Sequence, residues 1–198
     1  RGDHVVGLSR SADGFDLADS RSVADHLGGL GQTFDRVIVA TGALSVNGSE
    51  PEKTIKSLDA QAMADQFMIN AIGPALILSH AHRLLPRGRD CVLGILSAKV
   101  GSIGDNRLGG WVSYRAAKAA LNQIIHTAAI ELSRSHPRSS VVALHPGTVA
   151  TPFTSNYQAR HANVAADFAA ARLVGVMDGV TPDQSGGFFD HSGARLPW

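Results

Sequence analysis

Short runs rich in β-branched residues alternate along this chain with longer stretches of helical periodicity, and that alternation limits the possible folds more than any other feature. Residues 3–9 (DHVVGLS), 34–40 (FDRVIVA), 90–97 (DCVLGILS) and 141–145 (VVALH) read as buried strands, and residues 187–191 (GFFDH) as a closing one. Between the first two, residues 20–30 place Val23, Leu27 and Leu30 on one helical face, with Ser20 or Ser22 as the cap, so the three pieces predict a β-α-β crossover. Residues 57–70 predict a long helix. Pro74, suited to a first helical turn, opens another that runs to Leu85. Residues 98–110 read as a loop, 113–133 as an alanine-rich helix, 151–175 as a loop followed by an amphipathic helix, and 181–185 as a helix start. Strands alternating with helices predict an α/β fold, a doubly wound and mostly parallel sheet covered on both faces. At 198 residues the chain fits one such domain over residues 1–198.

Composition narrows the function. Lys and Arg number 18 against 17 Asp and Glu, with no run of five like charges, so no surface for nucleic acid is expected. The longest apolar stretch, residues 71–78, is interrupted by Gly73 and Pro74 and falls short of the ~18 residues of a membrane span. No membrane anchor is therefore expected, and the opening RGDHVV does not read as a signal peptide. The single Cys91 has no intrachain partner, which suits a reducing compartment, and cytoplasmic localisation is the expectation. The nine histidines show no HExxH and no ligand spacing around His80 and His82, so no metal site is predicted. A serine hydrolase would need a GxSxG elbow, which the sequence lacks.

Chemistry concentrates at Tyr114 and Lys118. Four apart in YRAAK at a predicted helix start, they share one face about a turn apart. A phenol with an ordinary pKa near ~10 is a poor acid-base group at neutral pH, and a neighbouring ammonium is one way to lower it. The spacing alone equally describes a surface pair.

More residues join the pattern. SAKVGSIGDNRLGGWVSYRAAKAALN precedes and contains the Tyr–Lys pair, Asn70 stands in NAIGP, residues 146–151 read PGTVAT, and the tail reads SGGFFDHSGARLPW. Together these resemble the short-chain dehydrogenase/reductase family, particularly its C-factor-like and sniffer-like carbonyl reductases, over nearly the whole chain. The resemblance implies hydride transfer between a nicotinamide and a small-molecule carbonyl or alcohol. Tyr114 would be the general acid and base. Lys118 would lower the Tyr114 pKa and hold the nicotinamide ribose, and Asn70 would anchor a water for proton return. The family's paired serines stand here as Ser97 and Ala98, with Ala98 at the usual catalytic position when Gly101 is the anchor. Ser97 is taken as the carbonyl-polarising residue and Ser102 as its alternative.

The resemblance also divides the cofactor site. Arg10 follows the first predicted strand where NADP-dependent members carry a basic residue, so it would pair with a 2′-phosphate, helped by Ser9 and Ser11. Asp16 and Leu17 resemble the adenine-side pair. Ala40, Thr41 and Gly42 stand where an NNAG motif would be, without its Asn, and Pro146, Gly147, Val149 and Thr151 form the turn beside the nicotinamide. NADP(H) is the expected cofactor. No TGxxxGxG loop occurs, so the first β-α unit of the fold is missing from these 198 residues. Two expectations remain for that gap: ~20–30 further residues precede Arg1 in a longer chain, or the unit has been lost. The second supports a different function, a non-catalytic C-factor-like signalling or protein-binding homologue. The family further implies a homodimer or homotetramer through the helices ending near Leu85 and Leu132.

Overall fold

Strands of a parallel sheet are buried on both faces and so carry near-continuous apolar runs, which is what the segments around Leu93 and Val142 are. The computed structural model describes residues 3–151 and 163–198. Four strands, β1 (Arg36–Val39), β2 (Cys91–Leu96), β3 (Ser139–His145) and β4 (Phe188–Asp190), form one parallel sheet in the order β1-β2-β3-β4. Val39 stands beside Ile95, Ile95 beside Ala143 and Ala143 beside Phe188. Each step between neighbours is a crossover containing helices, as expected for an α/β fold.

The helices are α1 (Arg10–Asp13), α2 (Ser20–Gly28), α3 (Ala60–Phe67), α4 (Gly73–Ser79), α5 (Ala81–Leu84), α6 (Val112–Ser133) and α7 (Ala166–Gly179). On one face of the sheet Val39, Leu93, Ile95, Val141 and Phe188 meet Val23 and Leu27 of α2, Ile77 and Leu78 of α4, and Leu121 and Ile125 of α6. Burying each such side chain is worth about 1.5–3 kcal/mol, so this layer dominates the fold. On the other face Val92, Val142, Leu144 and Phe189 pack on Leu173 and Met177 of α7. Gly94 makes that second layer close-fitting, because a Cβ there would lie 2.7 Å from Leu144 and 2.8 Å from Met177. Among the described residues α7 is the one long helix on this face. Ile38 of β1 remains 47% exposed.

Three expectations change. Residues 3–9 form no strand, and Val5 and Val6 are exposed. β-branched residues favour a strand only where a ladder partner exists, and among the described residues β1 pairs with β2 alone. Among the described residues no strand precedes the crossover helix α2. Its cap is Asp19, whose carboxylate accepts the Arg21 amide at 2.9 Å, while the Ser22 hydroxyl donates to Gly14 O and accepts from Asp16 N. The third change is at Gly73-Pro74, which does not interrupt the apolar helix. A π-helical turn at Met68–Ile72 joins α3 to α4, giving 20 continuous helical residues, Ala60–Ser79, of mean hydropathy 1.2. By length and composition alone this helix could cross a membrane, yet its Asn70, Ala71, Gly73, Pro74, Ile77 and Leu78 are buried inside the protein.

Candidate active site

The carboxyl ends of β1, β2 and β3 open on a cavity of about 510 Å³ walled by α6 and α7. Crevices at this end of open α/β sheets are where ligands bind. Ala40, Thr41 and Gly42 follow β1, Ser97 and Ala98 follow β2, and Pro146, Gly147, Val149 and Thr151 follow β3. All line the cavity together with Tyr114 and Lys118. α7 adds a small apolar wall of Ala169, Ala170 and Leu173, so this part of the segment after β3 shapes the pocket. Residues 152–162 of that segment lie outside the described residues.

Helix α6 carries the reactive pair because its alanines let it pack closely against the sheet. Tyr114, Lys118 and Asn122, each four residues on, are all buried on the same face. The Lys118 ammonium donates to the Leu96 carbonyl at 3.0 Å and lies 5.9 Å from the centre of the Tyr114 ring. Burial pushes Lys118 down to about 8, which still leaves it mostly protonated at neutral pH. Burial also raises the Tyr114 phenol above its ordinary value. The resemblance implies a lowered Tyr114; in the structure desolvation acts in the other direction, and the phenol is held protonated.

Asn70 lies in the π-helical turn and is fully buried. Its Oδ1 accepts from Ala43 N at 3.1 Å, and its Nδ2 donates to Ala43 O at 2.8 Å and to Gln66 Oε1 at 2.7 Å. It therefore braces the chain just after Gly42. That glycine has φ 147°, and a Cβ there would lie 3.0 Å from Asn70 Oδ1 and 3.4 Å from Lys118 Nζ. Asn70 and Lys118 thus meet across a position that only glycine leaves open. π-turns of this kind recur at functional sites.

Ser97 lines the cavity, with its hydroxyl donating to Asn122 Oδ1 at 2.6 Å. Ser102 is buried, accepts from Asp105 N at 3.1 Å, and is outside the cavity wall. Of the two candidate serines the structure brings Ser97 to the site. Gly147 has φ 78°, and a Cβ there would be 2.7 Å from the His191 ring, so the turn after β3 also needs glycine.

The remaining predicted residues stand apart. Ser9 caps α1 by accepting from Ala12 N at 3.1 Å, and Arg10 is exposed at the start of that helix. Asp16 forms an Asx turn with Ala18 N at 2.9 Å, and Leu17 packs against Gly73. None of the four lines the cavity. Sequence reasoning passed over three residues. Asn122 was findable as the next step of the Tyr114–Lys118 face. His145 lines the cavity immediately before Pro146-Gly147, with a buried Nδ1 that has no partner among the described residues. Glu52 packs under the start of α6, 61 positions from its contact in the chain, and no local pattern marks it.

A family model described as enoyl-(acyl carrier protein) reductase matches residues 8–183. The chain is 34% identical over 188 residues to 1-hydroxy-2-glutathionyl-2-methyl-3-butene dehydrogenase of Rhodococcus sp. (strain AD45), covering 93% of this chain and 79% of that protein. It is also 34% identical over 142 residues to C-signal of Myxococcus xanthus, covering 71% and 81% respectively. Among solved structures it resembles a protein described as a short-chain dehydrogenase/reductase from Burkholderia multivorans with bound NADP. That match has a TM-score of 0.75 at 26% identity, over 92% of this chain and 75% of the other.

Proposed function

The chain belongs to the short-chain dehydrogenase/reductase family, and from that premise we propose that it is an NADP(H)-dependent oxidoreductase interconverting a carbonyl and an alcohol. The observation that carries this reading is the buried pair Tyr114 and Lys118, one turn apart on α6, opening together on the cavity at the strand ends. The cavity walls fit a nicotinamide. Thr41 Oγ1 is a buried hydroxyl in the wall with no hydrogen-bond partner among the described residues, and Gly42 and Gly147 line the same wall. When bound, the nicotinamide supplies or accepts the hydride at the substrate carbon.

Tyr114, held protonated by burial, gives its proton to the carbonyl oxygen during reduction and takes one from the alcohol in reverse. Lys118 sets a positive charge beside the phenolate that forms and is anchored by Leu96 O. Asn70 braces the backbone at Ala43, beside Gly42, and would anchor the water through which the proton returns. Ser97 stands at the cavity wall beside Asn122, and it polarises the substrate oxygen when its one hydroxyl proton turns from Asn122 Oδ1 to that oxygen. Arg10, exposed and cationic, reads the 2′-phosphate. Buried, single Cys91 suits a reducing, cytoplasmic setting. An apolar groove between α4 and α6, with Leu78, Ile124 and Leu132 in its walls, supports association as a homodimer or homotetramer, checked by mass in solution.

The test is Tyr114→Phe, with NADPH oxidation followed against a reactive ketone or quinone. General acid-base groups contribute ~10²–10⁴-fold, so a loss of that size with an unchanged fold is expected, and a variant within about threefold of the parent would refute Tyr114 as the acid. The similarity to C-signal supports a second reading, a non-catalytic signalling or protein-binding homologue. A parent that neither binds NADPH in a fluorescence titration nor reduces any carbonyl would follow that reading.

A further inference from the structure

Helix α6 carries the proposed acid on its first turn, yet its own sequence supplies no cap there. Trp111 occupies the capping position with φ 53°, and an indole N–H donates but cannot accept from helix amides. The acceptor comes from far away in the chain. One carboxylate oxygen of Glu52 accepts the Ser113 amide at 3.2 Å, and the other accepts the Ser113 hydroxyl. The Glu52 carbonyl accepts the Trp111 amide. Both Glu52 and Ser113 are buried. Gly110, with φ 66°, lies against the same segment, where a Cβ would be 3.5 Å from Lys53 O and 3.7 Å from Glu52 O. Trp111 in turn stands edge-on to the Tyr114 ring, with centroids 6.2 Å apart. Trp111 and Ser113 are thus tied to Glu52, which is not part of the cavity lining.

We propose that Glu52 is a positioning residue for Tyr114, capping α6 from a distant loop so that the phenol is held in the cavity wall and kept from water. This rests on the reading of Tyr114 as the acid. Removing the carboxylate leaves the Ser113 amide and hydroxyl buried without acceptors, and the first turn relieves this by opening to solvent. A glutamine in its place retains the clamp, since its carbonyl accepts the Ser113 amide while its amide donates to the Ser113 oxygen.

The experiment compares Glu52→Ala and Glu52→Gln with the parent. Because a displacement of about 1 Å at a reacting group costs up to ~10²-fold, Glu52→Ala should lower kcat ~10- to 10²-fold with KM for NADPH within about twofold, and Glu52→Gln should restore most of kcat. A second readout does not depend on turnover. The chain has two tyrosines, so Tyr157→Phe leaves Tyr114 as the sole phenol, and its ionisation is followed by ultraviolet absorbance. In that background the parent should titrate above the ordinary tyrosine value, Glu52→Gln should match it, and Glu52→Ala should move back toward ~10 as water enters. Should Glu52→Ala fail to fold, Ser113→Ala removes the hydroxyl half of the clamp and should show the same shifts in smaller degree. An unmoved phenol titration in Glu52→Ala, or in Ser113→Ala if that variant must stand in, overturns the proposal. So does a Glu52→Gln variant as impaired as Glu52→Ala. A parent that is inactive while the titration behaves as described overturns the catalytic reading and leaves the clamp in place.

Discussion

Gly101 offers a severe test of how closely the loop after β2 is fitted to the catalytic helix. It ends the short 3-10 turn at Lys99–Gly101 and lies flat against α6. A methyl group added there would stand 2.8 Å from the Lys118 carbonyl carbon, 2.8 Å from Lys118 Cβ and 3.0 Å from Lys118 O. Carbon atoms rest at about 3.5–4.0 Å, so Gly101→Ala requires the loop and helix to separate by roughly 0.7–1.2 Å. The atoms in the way are helix backbone, which cannot swing aside as the end of a long side chain would. Overpacking of this kind costs about 1–3 kcal/mol, and at about 2–4 °C per kcal/mol for a domain of this size the melting temperature should fall by roughly 2–12 °C. Displacement of Lys118 by the same distance should lower turnover up to ~10²-fold. Gly88→Ala is the control, since a Cβ there meets nothing within 4 Å. Thermal unfolding by circular dichroism and NADPH oxidation measure the two effects. A Gly101→Ala protein that melts and turns over like Gly88→Ala would refute the reasoning.

Three further outcomes are expected. Ser97→Ala should cost more activity than Ser102→Ala, up to the ~10²–10³-fold of a lost oxyanion donor, because Ser97 alone of the two lines the cavity; steady-state kinetics of both variants decide it. Arg10→Asp should invert or abolish a preference for NADPH over NADH, read by fluorescence titration of both, because an anion then repels the 2′-phosphate. His145 gives a pH dependence of stability. Burial pushes its imidazole down to about 4 from an ordinary 6.5, so its neutral form stabilises the fold above pH 6.5 and that contribution is lost as pH falls toward 4. At 1.36 kcal/mol per pKa unit the loss approaches about 3 kcal/mol. Urea unfolding at pH 7 and pH 4.5 should show a shallower loss in His145→Asn than in the parent, and equal slopes would exclude His145 as the source.

Local periodicity carried much of the fold. The apolar run of β2 and the alanine-rich turns of α6 were readable because a strand buried on both faces and a core helix each need a distinctive spacing of side chains. Residues 3–9 misled because β-branched content states a preference for extended backbone without saying what pairs with it. Gly73-Pro74 misled because a π-turn carried the helix through a pair that usually ends one. At the site, Tyr114 and Lys118 stand four apart and could be read directly, whereas the bonds of Asn70 to Ala43 span 27 residues and those of Glu52 to Ser113 span 61. Such contacts are set by the folded topology and leave no spacing rule in the chain. Asn122 lay within reach of the same rule that found Lys118, one turn further on.

The side-by-side order of the strands governs when the cavity comes into being. Among the described residues β1, β2, β3 and β4 neighbour one another in chain order, so each of these strands is added beside the one before it. Each new strand joins after a crossover of some forty residues or more, and every pairing must close a long loop before it gains any contact. A nascent chain that has emerged only through α6 already carries Tyr114 and Lys118. It still has no Pro146-Gly147 turn and no α7 to close the opposite wall. The chemistry-bearing helix thus precedes its own enclosure, and the pocket cannot be complete until α7 has followed it.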